Sequence, residues 1–97
     1  MKHVWRIKKY WIVTVFLKDY DENGEPLNWT DPIEEYALCK TYEEALSIKE
    51  KLLSGQDYYY GNNIEEVHIS DDPEEREILV DEDEARRIDL INAIKKN

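Results

Sequence analysis

Residues 10–17, Tyr-Trp-Ile-Val-Thr-Val-Phe-Leu, form the longest stretch without a charge, glycine or proline that is also rich in β-branched and aromatic side chains. Such a run is a strand, and it is too short to span a membrane as a helix. Alternation puts Trp11, Val13, Val15 and Leu17 on one face and Tyr10, Ile12, Thr14 and Phe16 on the other. Both faces therefore need cover, which places the strand at the centre of a sheet. Trp5 and Ile7 continue the odd-numbered pattern, broken by Lys9, so the strand can begin as early as Val4.

Turn formers follow Lys18, and Asn23-Gly24 supplies the positive-φ residues of a tight reversal. A second strand over residues 33–39 sets Tyr36 and Leu38 on one face and Ala37 and Cys39 on the other, pairing with the first as an antiparallel hairpin. Thr41-Tyr42-Glu43-Glu44 is a capping box: the Thr41 hydroxyl accepts from the Glu44 amide while Glu44 reaches back. The helix it opens runs to Leu53 with an apolar stripe of Ala45, Leu46, Ile48, Leu52 and Leu53, and stops at Ser54-Gly55. A linker over residues 56–63 carries Tyr58, Tyr59 and Tyr60. A third strand over residues 64–70 alternates Glu65, Val67 and Ile69 against Glu66, His68 and Ser70. Residues 77–80 form a short bridge or fourth edge strand. Asp81-x-x-Glu84 then starts a second helix with Ala85, Ile88, Leu90, Ile91 and Ile94 on one side and Lys95 and Lys96 at its end, where cations suit the macrodipole.

The order β-β-α-β-α predicts an α+β fold in one compact domain of 97 residues. A right-handed crossover makes the third strand parallel to the second, giving a three-stranded sheet of order 2-1-3 with the first strand central and antiparallel to both neighbours. One helix covers one sheet face. The face bearing Tyr10, Ile12 and Phe16, beside Tyr36 and Leu38, is left for the second helix or another subunit.

Charge changes this picture more than composition does. The net charge is −10, distributed as +5 over residues 1–18, −18 over residues 19–84 and +3 over residues 85–97. The basic start lacks the apolar run and cleavage site of an export signal, so a cytoplasmic location is expected. The single cysteine, Cys39, agrees with a reducing compartment and reads as a small buried side chain. An acidic chain is a poor ligand for phosphate, so direct nucleic-acid binding is not expected.

Several chemical patterns fall short of a site. Asp19-x-Asp21-x-Asn23-Gly24 opens like an EF-hand loop, but the twelfth position is Thr30 rather than glutamate and the preceding segment is a strand. A weak metal site would draw on Glu25 or Asp31 as well, but a polar hairpin loop is the simpler reading, and no metal is assigned. His3 and His68 have no ligand partner at zinc-like spacing, and there is no phosphate loop, nucleophile elbow or Cys-x-x-Cys. No catalytic residue and no cofactor are assigned, and the chain is read as a non-enzyme.

An acidic, rigid surface can instead occupy the basic groove of a nucleic-acid-binding protein, setting carboxylates where phosphates would lie. The residues expected to meet such a partner are Glu65, Glu66, Asp71, Asp72, Glu74, Glu75, Glu77, Asp81 and Glu82, continuing into Asp83 and Glu84, with Tyr58, Tyr59 and Tyr60 as aromatic anchors. A solvated acidic face without a partner is the competing reading.

The segment from Glu35 to Gly55, a strand leading into Cys-Lys-Thr-Tyr-Glu-Glu-Ala and an amphipathic helix, in a short acidic chain, resembles small phage and mobile-element proteins of Gram-positive bacteria. Some of those proteins inhibit CRISPR or other defence nucleases, so the resemblance implies an anti-defence inhibitor. The two alternatives are a homodimeric adaptor joined through the uncovered sheet face and a weak calcium-binding loop protein.

Overall fold

The computed structural model describes residues 2–57 and 59–95, with only the backbone of Lys95. The elements are β1 (His3–Leu17), β2 (Ile33–Cys39), α1 (Tyr42–Leu53), β3 (Ile64–Ile69), β4 (Glu74–Asp81) and α2 (Glu82–Lys95). The fold is α+β, with β1 between β2 and β3 and antiparallel to both. A fourth strand is present: β4 is longer than the bridge expected over residues 77–80 and also pairs with β1. Its alternation is masked in the sequence because Arg76 takes an inward position beside Glu74, ahead of Ile78 and the buried Val80.

Contacts gather into two compact units. The central unit is Tyr10–Pro73, and the terminal unit is Met1–Lys9 with Glu74–Asn97. In the central unit Val13, Val15 and Leu17 of β1 pack with Cys39, Ala45, Leu52, Tyr60 and Val67. Both Val13 and Val15 are completely buried, as the odd face of the central strand requires.

Two bulges change the faces that alternation assigns. Between β1 and β2, Val13 pairs with Ala37 and Thr14 with Glu35, so Tyr36 is the extra residue. Ala37 keeps its place on the core side, and the Tyr36 ring turns toward α1 and Tyr60 instead of sharing the Leu38 face. Between β1 and β3, Phe16 pairs with Glu66 and Leu17 with Ile64, leaving Glu65 extra. Strict alternation would put Glu65 beside Val67 in the core. The bulge leaves that carboxylate exposed and brings Ile64 to the core in its place. Ser70, expected as the last residue of the third strand, continues the pairing beyond β3: its N–H donates to Ile12 O at 3.0 Å, and its hydroxyl accepts from Ile12 N at 2.9 Å.

Helix α1 starts as the capping box predicts, with Glu44 N donating to Thr41 Oγ1 at 3.1 Å. The reciprocal arm goes one residue further out, where Lys40 N donates to Glu44 Oε2 at 3.3 Å. The helix buries Ala45 and Leu52 and half-buries Ile48, whereas Leu46 and Leu53 are exposed because they lie off the side facing β2 and β3. At its end Gly55 has φ +75°, a left-handed conformation suited to glycine, and its N–H donates to Leu52 O. In the β1–β2 loop only Gly24 of the Asn23-Gly24 pair takes positive φ.

In the terminal unit α2 packs on β4, and Asp81 Oδ1 accepts from Glu84 N at 2.8 Å as the start signal implies. The predicted apolar side is buried only at Ala85 and half-buried at Ile88. Leu90, Ile91 and Ile94 are exposed: the helical period turns Leu90 and Ile94 well away from Ala85, and Asp89, itself exposed, binds Arg6. Lys96 lies outside the described residues. Among the described residues no helix is long and apolar enough to cross a membrane.

Candidate functional site: an aromatic and acidic surface on the central unit

In the linker between α1 and β3, Asp57 braces a turn. Its Oδ1 accepts from Tyr59 N at 2.9 Å and Tyr60 N at 2.8 Å, and its carbonyl accepts from Gly61 N at 3.0 Å. An aspartate followed by a short polar and aromatic run forms such a turn because its carboxylate replaces a backbone acceptor. The turn sends Tyr60 into the core, where it is only 4% exposed, and leaves Tyr59 73% exposed. Tyr59 is therefore the ring open to solvent, and Tyr60 packs beneath it. Tyr58 lies outside the described residues.

Around Tyr60 the rings interlock. Tyr59 stands edge-on at 4.9 Å between centroids, Tyr36 at 6.0 Å and Trp29 at 6.2 Å. Trp29 is held from the other side, where its Nε1 donates to Lys18 O at 3.1 Å. Two carboxylates complete the group. Tyr60 OH donates to Glu34 Oε2, and Tyr36 OH donates to Asp57 Oδ2 at 3.3 Å. Glu34 reaches this side because it pairs with Val15, whose side chain faces the core. Burial, followed by the Glu34 hydrogen bond and charge, pushes the Tyr60 hydroxyl well above the ordinary phenol range. Burial and Asp57 raise Tyr36 in the same sense. Glu34, Tyr36 and Asp57 were not among the expected site residues. The aspartate ahead of the tyrosine run was a readable turn signal, whereas the roles of Glu34 and Tyr36 depend on strand pairing and the bulge.

The expected acidic residues divide between the two units. Glu65, Glu66, Asp71 and Asp72 belong to the central unit and are all exposed. Glu74, Glu75, Glu77, Asp81 and Glu82 belong to the terminal unit, where several carboxylates already have internal partners. Glu74 meets Arg76 at 3.3 Å, Asp81 caps α2, Glu84 meets Lys8 at 2.8 Å, and Asp89 takes both Arg6 Nε at 2.9 Å and Arg6 Nη2 at 3.0 Å. The Arg6 hydrogen bonds hold the Asp89 carboxyl below its ordinary value. By composition the terminal unit carries nine basic and eight acidic residues, net +1, and the central unit four basic and fifteen acidic residues, net −11. The acidic excess of the chain therefore resides in the central unit.

Other candidate chemistry is accounted for by local structure. In the β1–β2 loop, Asp21 Oδ1 accepts from Asn23 N at 2.8 Å and Glu25 N at 2.9 Å, bracing a turn. No group of three or more His, Cys, Asp or Glu side chains able to hold a metal occurs among the described residues. Cys39 is 1% exposed, and burial together with the Glu44 charge pushes its thiol up, away from the nucleophilic thiolate.

On the other side of the central sheet, Thr14 lies between Glu35 and His68, and Phe16 between Ile33 and Glu66. Tyr10 and Ile12 are buried there, but Phe16 is only half-buried, and Leu38 and Ile33 are exposed. The face thus opens toward its Phe16 end. No protein-family model matches the chain, and no curated protein or solved structure is significantly similar to it.

Proposed function

We propose that this protein is a non-enzymatic inhibitor whose central unit occupies a basic, nucleic-acid-binding surface of another protein. The observation that carries the reading is the charge partition: fifteen acidic against four basic residues on a unit with a close-packed core. Carboxylates on a firm scaffold compete with phosphates because they arrive already spaced, and their field steers a basic partner toward them. Exposed Tyr59 adds an aromatic contact of the kind that anchors interfaces. The resemblance of residues 35–55 to small phage and mobile-element proteins favours bacterial defence nucleases as the class of target.

Displacement of labelled DNA from such nucleases is the direct test. The protein should release DNA at low salt and lose the effect at high salt. Failure to displace DNA from any basic nuclease at low salt would end this reading.

A second reading is favoured by a separate observation, the exposed Ile33 opposite Phe16 and the exposed Leu38 opposite Ile12. It is a homodimeric adaptor joined through this sheet face. Sedimentation of the parent protein as a dimer, and of Ile33→Lys as a folded monomer, would support it. A monomeric parent would exclude it.

A further inference from the structure

We propose that the pocket between the bulge of β2 and the end of α1 seats an arginine side chain of a basic protein partner. The proposal rests on the inhibitor reading and names the side chain that the acidic unit selects. The pocket, about 400 Å³, is lined by Tyr36, Ile48, Lys51, Leu52, Gln56 and Asp57. Its volume is at the lower end for ligand clefts and suits one long side chain.

Each wall matches part of an arginine. Ile48 and Leu52 offer an apolar floor for the methylene stem. The Tyr36 ring, 40% exposed, offers a surface on which a guanidinium stacks. The Asp57 carboxylate is fixed before any partner arrives, because Oδ1 accepts from two backbone N–H groups, while Oδ2 receives one long hydrogen bond from Tyr36 and keeps acceptor capacity. The last turn of α1 adds the negative end of a helix dipole. The surrounding unit, at net −11, complements a cationic partner. Exposed Lys51 on the rim opposes a bare cation. The pocket therefore favours a group that brings an apolar stem and a planar stacking surface as well as charge.

The test uses the full chain with a short oligoarginine peptide and the oligolysine peptide of equal length. Oligoarginine should bind about five- to tenfold more tightly, the added worth of stacking and a charge-assisted hydrogen bond. Amide resonances of Ile48, Leu52 and Gln56 should shift on titration. Asp57→Asn, which retains the Oδ1 acceptor for the loop, should remove most of the preference for arginine. Lys51→Ala, at an exposed position, should strengthen oligoarginine binding and keeps the test decisive if Asp57→Asn fails to fold. Equal, salt-sensitive binding of both peptides, indifferent to these substitutions, would overturn the arginine pocket and leave the wider acidic-surface reading standing. Binding of neither peptide would overturn both. Saturation of the pocket by free arginine as tightly as by the peptide would mark a small-cation site and overturn docking of a protein side chain.

Discussion

Tyr60 shows how one side chain links the core to the surface. Its ring is buried against Tyr59, Tyr36 and Trp29, and its hydroxyl donates to Glu34. The fold prefers the neutral phenol, whose folded pKa is raised above the unfolded value of about 10. Its contribution is therefore complete below pH about 10 and is lost as pH rises through the folded value. Tyr60→Phe should lower neutral-pH stability by about 1 kcal/mol, the worth of an ordinary hydrogen bond. The variant should also lose less stability than the parent between neutral pH and pH about 10.5, as read by urea unfolding at both. Gly55 is a second residue with a narrow requirement. A Cβ there would come within 2.5 Å of Asn62 Oδ1, and φ is positive. Gly55→Ala should cost about 1–2 kcal/mol by the same assay.

At the scale of elements, α1 was legible because both its ends are written in a few neighbouring residues. Thr41 accepts from Glu44 N, and Ser54-Gly55 closes the other end. Thr41→Ala should destabilise the protein by about 1 kcal/mol, measured as a lower urea midpoint with an unchanged slope. The strands were legible in place and order but not in every facing. At Tyr36 and Glu65 the extra residues shift the alternation, so a tyrosine joins the helix side and a glutamate escapes the core. β4 was shortened in the reading because Glu74, Glu75, Arg76 and Glu77 do not look like a strand until Arg76 is seen beside Glu74. Only Ala85 and Ile88 of the apolar set of α2 turn inward, because the helical period carries Leu90 and Ile94 round to the far side of the helix.

For the whole molecule, the distribution of charge is the property on which the proposed function rests. The chain reads as a basic start, an acidic middle and a basic end, yet contacts place both basic ends in one unit with the carboxylates of β4 and α2. The acidic surface expected over residues 65–84 is thereby divided. Reversing Glu66, Asp71 and Asp72 to lysine should weaken a basic partner by roughly 100-fold at low salt, chiefly through slower association. Reversing Glu74 and Glu75 should cost clearly less, because that unit is already near neutral. Stopped-flow association rates across a salt series distinguish the two sets, and equal effects would remove the central unit's special role.

The sequence by itself determined the long central strand, the order of the first three strands and two helices with its 2-1-3 pairing, and the caps of both helices, but not the full length of β4. These follow from alternation, helical period and side-chain hydrogen bonds acting within windows of a few residues. Tertiary structure alone decided that Tyr60 is buried while Tyr59 is open, that Tyr36 meets Asp57, and that the acidic excess belongs to one unit. Those outcomes depend on strand register and on contacts between residues far apart in the chain. A bulge goes where it lets apolar side chains fill the core and leaves charge in water, a choice that no local window contains.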